Sequence, residues 1–182
     1  MEVDLERLDL TTSADRRGLV AFMTGNPFPF HVGGTPSVRE MESRMESGIY
    51  DDADHRSFWL VHPELGRIGF TRLEDLSDPT PMLDLRLEER FRGRGLGAPC
   101  LGAVTRHVFE EIRADRFEGQ TRHDNIAMRR TFEKCGWVKE AHYRQGWPVP
   151  GGEAADSVAY AMLRRDWETG EMTPFQGVEI RR

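Results

Sequence analysis

The chain reads as one α/β (α+β) domain, a mixed central sheet of six to seven strands flanked by about four helices, and three observations predict it. Stretches in which apolar residues alternate with polar ones take turns with stretches in which they recur every three or four positions, in the order β, α, α, β, β, β, α, β, α, β, β. No internal repeat, low-complexity run or long linker interrupts that order. In its middle, RFRGRGLGAP (Arg90 to Pro99) turns a strand into a helix through three glycines.

Val3 and Leu5, then Leu8 and Leu10, alternate as a first strand. A helix opens near Ser13 and carries Leu19, Val20, Phe22 and Met23. The run GNPFPFHVGGTP cannot prolong it, because prolines fix φ and remove donors, so a loop follows. Ser37 and Glu40 have capping-box spacing, and Val38, Met41 and Met45 form the stripe of a second helix that stops at Gly48. SFWLVH and RIGFTRL flank Pro63 to Gly66 as a hairpin. After SDPTP, Leu83, Leu85 and Leu87 alternate with polar residues in a half-buried strand. Leu101, Val104, Val108 and Ile112 then recur at helical spacing, with Pro99 tolerated in a first turn whose N–H groups have no helical partner. RFEGQT is a short strand, and Asp124 or Asn125 caps a helix that turns Met128, Phe132 and Cys135 inward. Gly136 is its left-handed terminus, with Trp137 folding back on Phe132. WVKEAHYRQ and SVAYAML are the last two strands, around PVPGGEAAD. Residues 1–168 form the domain on this reading; 169–182, TGEMTPFQGVEIRR, is a tail without a period, open to being an arm, a contact in a homodimer or disordered.

With 182 residues the chain can bury a core without disulfides or a structural metal. Its formal charge of -6 argues against general nucleic-acid or membrane-surface binding, since neither polyanion is drawn to the protein as a whole. The start, MEVDLERLDL, has no basic region leading into an apolar run, and no stretch nears the roughly 20 apolar residues that cross a bilayer. Cys100 and Cys135 fall in expected helices without metal-ligand spacing, so the expectation is reduced thiols in a cytoplasmic setting and no metal. Any basic function must be local.

The glycine stretch is where it is local. A strand that runs through a glycine-rich turn into a helix leaves several N–H groups pointing one way, at the positive end of the helix dipole, and that makes an anion site. Gly93, Gly95 and Gly97 let a phosphate approach the backbone, and Arg92 or Arg94 adds charge. A P-loop would need a lysine followed by a hydroxyl residue, which the stretch lacks. Gly93, Gly95 and Ala98 satisfy the dinucleotide-binding spacing, with Glu118 about 20 residues on, but the unit lies behind two helices and four strands, with too little chain left for a doubly wound sheet.

Arg92, Gly95 and Gly97 resemble the R/Q-x-x-G-x-G/A acetyl-CoA signature of the GNAT superfamily of N-acetyltransferases, and Arg90, Gly93 and Gly95 fit it in a second register. NIAMRRTFEKCGWVKEAHYR, from Asn125 to Arg144, is similar to the run found in the branch that acetylates ribosomal-protein N-termini, antibiotics and other small amines. The resemblance implies a sheet splayed between strands four and five. It implies acetyl-CoA as co-substrate, held by Arg92, Gly93, Arg94, Gly95, Leu96, Gly97 and Ala98, by the backbone of Leu85 and Leu87, and by Asn125. The reaction it implies is direct attack of a small-molecule or peptide amine on the thioester.

The chain departs from that pattern at the expected acid and base. Many family members carry a tyrosine seven residues past the asparagine, where this chain has Phe132; others carry a serine three past it, here Met128; a frequent glutamate five before it is Gln120. Glu118, Gln120 and Arg122 share a strand face, which makes Glu118 the nearest substitute base, or else an ion-pair partner of Arg116 or Arg122, and Asp84 on the neighbouring strand the reserve base. In the family the segment between the first two helices closes over the acceptor, and here it holds Phe28, Phe30 and His31, either as core anchors or as substrate contacts. Carboxylates at Asp84 and Glu118 point to a cationic amine. The missing tyrosine and glutamate leave room for another reading, an acyl-CoA-binding regulatory or scaffolding module without turnover.

Overall fold

The computed structural model of the chain describes residues 2–175. Strands β1 (Asp4–Arg7), β2 (Arg56–His62), β3 (Gly66–Glu74), β4 (Met82–Leu87), β5 (Arg116–Arg122), β6 (Val138–Trp147) and β7 (Ala155–Leu163) form one sheet in the order β1-β2-β3-β4-β5-β7-β6. Every neighbouring pair is antiparallel except β4 with β5, which is parallel. Helices α1 (Ser13–Gly25) and α2 (Val38–Glu46) cover one face; α3 (Gly97–His107) and α4 (Ile126–Lys134) cover the other; α5 (Arg164–Thr169) follows the last strand.

Local chemistry accounts for the helix boundaries. Thr12 accepts the Asp15 N–H at the start of α1, and Ser37 and Glu40 close the expected reciprocal box at the start of α2. Gly136 ends α4 at φ +78°, and the Trp137 ring packs 5.0 Å from that of Phe132. Each face of the sheet buries its own core. Leu19, Phe22, Met41, Trp59 and Phe70 pack under α1 and α2, while Leu101, Val104, Phe109, Phe117, Phe132 and Tyr160 pack under α3 and α4. Each such side chain contributes about 1.5–3 kcal/mol by leaving water, so the two layers together clamp the sheet between them.

Three elements differ from the sequence expectation. Leu8 leaves the β1 ladder, although it stays fully buried and its N–H still reaches Ser57 O at 3.0 Å. The helix after the glycine turn widens into a π turn at Val108–Ile112 and ends on Arg113 at φ +64°, a conformation that no glycine announces. α5 crosses the expected boundary at residue 168: it ends on Gly170, and Thr173 N–H donates to Asp166 Oδ1 at 3.0 Å, so the first part of the expected tail folds back on the domain. The remainder, 176–182, lies outside the described residues.

The feature that positions the site is the parting of β4 from β5. They meet only at Met82 and Glu118, where the Glu118 N–H donates to Pro81 O at 3.1 Å, and diverge beyond. β4 keeps its full ladder with β3, and Gly69 makes the close approach: a Cβ there would stand 2.4 Å from Arg86 O. Asp84 O accepts from Thr71 and the Glu88 N–H donates to Ile68 O, so the even-numbered backbone groups of β4 face β3. Those of Leu85 and Leu87 face the opening, where no strand of the described residues pairs with them.

Candidate active site

Two cavities open on the parted strands. The first, about 600 Å3, is walled by the Arg92–Ala98 turn, the start of α3, and one side of α4. Gly93 and Gly95 turn through φ +71° and +79°, and nothing lies within 4 Å of a Cβ at either, so their backbone is bare toward the cavity. Leu96 caps α3 without a side-chain bond, which leaves the first N–H groups of that helix free. Arg86, Arg92, Arg130 and Lys134 line this cavity and, among the described residues, no carboxylate does, in a chain that carries a net -6.

Arg92 is the most telling of these residues. Its Nε donates to Leu87 O at 3.0 Å, its plane lies over the Phe28 ring at 5.0 Å, and its Nη2 is buried with no partner among the described residues. Burial, only partly offset by Glu89, pushes the guanidinium down from its ordinary value. A buried cationic donor with no acceptor calls for an anion, and with the bare glycine turn it fits the diphosphate of a coenzyme A. Arg94 points elsewhere: it is exposed and does not line the cavity. Arg90 pairs with Glu88 at 2.6 Å.

The second cavity, about 500 Å3, lies on the other side of β4, under α2 and the loop between α1 and α2. Phe30, His31, Leu85, Arg86, Asn125 and Met128 line both cavities, so the two communicate across the parting of the strands. Asn125 caps α4, its Oδ1 accepting the Met128 N–H at 3.3 Å and its Nδ2 donating to Thr121 at 2.9 Å. The α1–α2 loop is tied over the opening by Arg122, which donates to Pro29 O at 3.1 Å and lies over the Phe30 ring. Of the three loop residues, Phe28 is a core anchor, buried against Phe22 and gripped by Arg86 and Arg92 on its ring faces, whereas Phe30 and His31 reach the junction.

The structure sorts the three expected catalytic residues. Gln120 and Asp84 line the second cavity, and Glu118 does not. The Glu118 carboxylate sits at the closed end of the opening, bonded to Arg116 at 2.8 Å and accepting from Gln120 Nε2 at 3.2 Å. Asp84 is gripped by Arg86 through bonds of 3.0 and 2.9 Å, with His31 Nε2 3.3 Å from Oδ1. Burial would push its carboxyl up, but the Arg86 charge and the His31 ring outweigh that and hold it far below the usual carboxylate range. The Nδ1 of His31 is buried and has no partner among the described residues. Sequence reading missed Arg44, Tyr50, Arg72 and Glu74, which complete the second cavity from α2, the segment after it and β3.

Comparison with known proteins gives this geometry its place. The family model for the acetyltransferase (GNAT) domain matches residues 5–138. Among solved structures, the spermidine/spermine N-acetyltransferase SpeG from Vibrio cholerae superposes with a TM-score of 0.77 at 15% identity, covering 93% of this chain and 98% of that one. A chimera of that enzyme with hSSAT gives 0.78 at 16%, over 92% and 99%. A dodecameric form of the spermidine N-acetyltransferase gives 0.75 at 15%, over 94% and 99%. At such identities these likenesses show the fold. Two communicating cavities astride a parted parallel pair, with a glycine turn and a helix start at the mouth of one, are what the matched domain is built to hold: the chain belongs to the GNAT family, the acetyl-CoA-dependent N-acetyltransferases.

Proposed function

We propose that the chain moves an acetyl group from acetyl-CoA to the primary amine of a small molecule or peptide, by direct attack in a ternary complex. One observation carries this reading: the basic, glycine-walled cavity and the cavity under α2 meet at Leu85 and His31, so that two ligands can touch there while neither blocks the other's entrance. Acetyl-CoA, when bound, supplies an activated acyl thioester. Arg92, the Arg92–Ala98 turn and the free start of α3 hold its diphosphate, and the backbone of Leu85 with the N–H of Leu87 orients the arm and offers an N–H to negative charge on the carbonyl oxygen, the Leu87 carbonyl being taken by Arg92. Holding both partners in place supplies most of the rate.

The amine reaches the site as an ammonium and must lose a proton. Glu118, the base expected from sequence, is occupied by Arg116 at the closed end of the opening; Asp84, the reserve, is held too firmly ionised to take a proton. His31 is the better placed group. It lines both cavities, and with Nε2–H turned to Asp84 its Nδ1 keeps a free lone pair, the way a carboxylate fixes an imidazole for proton transfer. Gln120, oriented by Glu118, remains a contact for the acceptor.

Release of free thiol from acetyl-CoA, followed over a broad panel of amines, tests the proposal. Saturable acetyl-CoA binding with no thiol release for any amine would support the non-catalytic module instead, a reading favoured by the apolar Phe132 and Met128 at the family's acid positions. Self-association as a homodimer belongs to the same proposal, the Vibrio cholerae neighbour being dodecameric, and sedimentation velocity checks it.

A further inference from the structure

Two of the three arginines on the acceptor side of β4 are matched by carboxylates. Arg72 Nε bonds Glu74 at 2.9 Å and Arg86 grips Asp84, so these four charges cancel in pairs. Arg44 of α2 also lines this cavity, half-buried, and has no ion-pair partner among the described residues. Its helical neighbour Glu40 is engaged at the capping box, accepting the Ser37 N–H and hydroxyl at 2.7 Å each. Three guanidiniums thus face two carboxylates across a cavity whose remaining wall includes the Tyr50 ring and the apolar side chains of Ile49, Met82 and Trp147. A polycation entering here meets net positive charge at low dielectric, and a half-buried guanidinium stays without its anion.

We infer that the acceptor is an amine that also carries a carboxylate, an amino acid or short peptide with an apolar body, and that Arg44 binds that carboxylate while the amine lies toward His31. This rests on the acetyl-transfer reading of the same site and narrows its substrate. The carboxylate satisfies the one unmatched guanidinium, and Arg presents a planar pair of donors suited to it. The apolar wall takes the side chain.

The test uses matched acceptors with the full-length enzyme and acetyl-CoA: phenylalanine, a phenylalanine-containing dipeptide, phenylalanine amide and phenethylamine, with spermidine as the polycation. The expected result is kcat/KM higher for one of the carboxylated amines than for its amide or decarboxylated partner by about 10–100-fold, the range of a hydrogen-bonded charge contact. Arg44→Ala should erase that preference and Arg44→Lys restore part of it, with acetyl-CoA affinity by calorimetry unaltered in both. Arg44→Glu should raise the rate with spermidine. Faster turnover of spermidine or phenethylamine than of both carboxylated amines by the unmodified enzyme, a preference that survives Arg44→Ala, or no turnover of a carboxylated amine by an enzyme that binds acetyl-CoA would each overturn the inference. Absence of acetyl-CoA binding would instead remove the transfer reading on which it stands.

Discussion

Replacing Phe132 by tyrosine gives the chain the hydroxyl that many family members carry at this place, and the structure predicts a loss of stability with no gain in catalysis. Phe132 is 1% exposed, stacked on the Tyr160 ring at 4.9 Å and packed on Trp137 at 5.0 Å. A Cβ at Gly119 would stand 2.6 Å from Phe132 Cζ, so the para carbon already rests on bare β5 backbone. Phe132 also lines the second cavity, but a hydroxyl added where the ring already presses on that backbone crowds it, and overpacking of a filled core costs about 1–3 kcal/mol. A buried hydroxyl without a partner costs about 1–3 kcal/mol more, and a ring shift that relieves the one eases the other, so about 2–4 kcal/mol is expected in total. For a chain of this size that lowers Tm by about 4–16 °C. Thermal melting by circular dichroism reads it, with kcat measured well below the transition so that only folded enzyme is compared. Gly119→Ala strikes the same contact from the other side and should cost a similar amount. A Phe132→Tyr variant that melts within about 1 °C of the unmodified protein and turns over several-fold faster would refute the reasoning, because the hydroxyl would then emerge into the second cavity that the ring lines instead of pressing on β5.

The other predictions concern single groups at the site. Gly95→Glu should abolish acetyl-CoA binding in calorimetry while the fold persists: the φ of +79° costs a side chain about 1 kcal/mol, and the carboxylate occupies the anion site. Unchanged affinity would remove the coenzyme assignment. Asp84→Asn should destabilise the protein by about 3–5 kcal/mol, since it strands the Arg86 guanidinium in a buried place. Because the folded carboxyl titrates far below its unfolded value of about 3.9, its contribution is fully present above that value and is lost as pH falls through the lower one; the gap in Tm between the two proteins should hold from neutrality down to about pH 4 and narrow only below. His31→Gln should lower kcat/KM by about 10²–10⁴-fold and flatten the acidic limb of the pH–rate profile, while Glu118→Gln keeps that limb. The opposite pattern would return the base to β5.

Much of the fold was legible because it is written in local periodicity. The order of strands and helices, the capping box at Ser37 and Glu40, the left-handed stop at Gly136 and the anion turn at Gly93–Gly97 each need only a few consecutive residues. α5 escaped because RRDWET follows directly on a long apolar strand without a capping residue: Leu163 stands at its N-cap and offers no side-chain acceptor. The π turn at Val108–Ile112 keeps the apolar spacing of the helix before it and so leaves no separate trace. The cavity proposed for the coenzyme was readable in the sequence since a glycine turn, a helix start and one arginine wall it.

The acceptor side misled because a charge counted in a sequence is not a charge available in a site. Asp84 and Glu118 read as two carboxylates awaiting a cation, yet each has an arginine two residues away, Arg86 and Arg116, and on a strand that spacing places the pair on one face. The same spacing joins Arg72 to Glu74 on β3, and Arg122 at the end of β5 reaches Asp124 in the turn that follows. These β-segments neutralise themselves, and the rule that says so was available from their sequence alone. On a helix the rule inverts: Glu42 and Glu46 also stand two residues from Arg44, but residues two apart on a helix do not face each other, and both are exposed while Arg44 turns into the cavity. Glu40, four residues before it and on its own side, is drawn off by the Ser37 cap. The change of period between strand and helix therefore decides which charge is left for a ligand, and it leaves a cation rather than the anion that residue counting suggested.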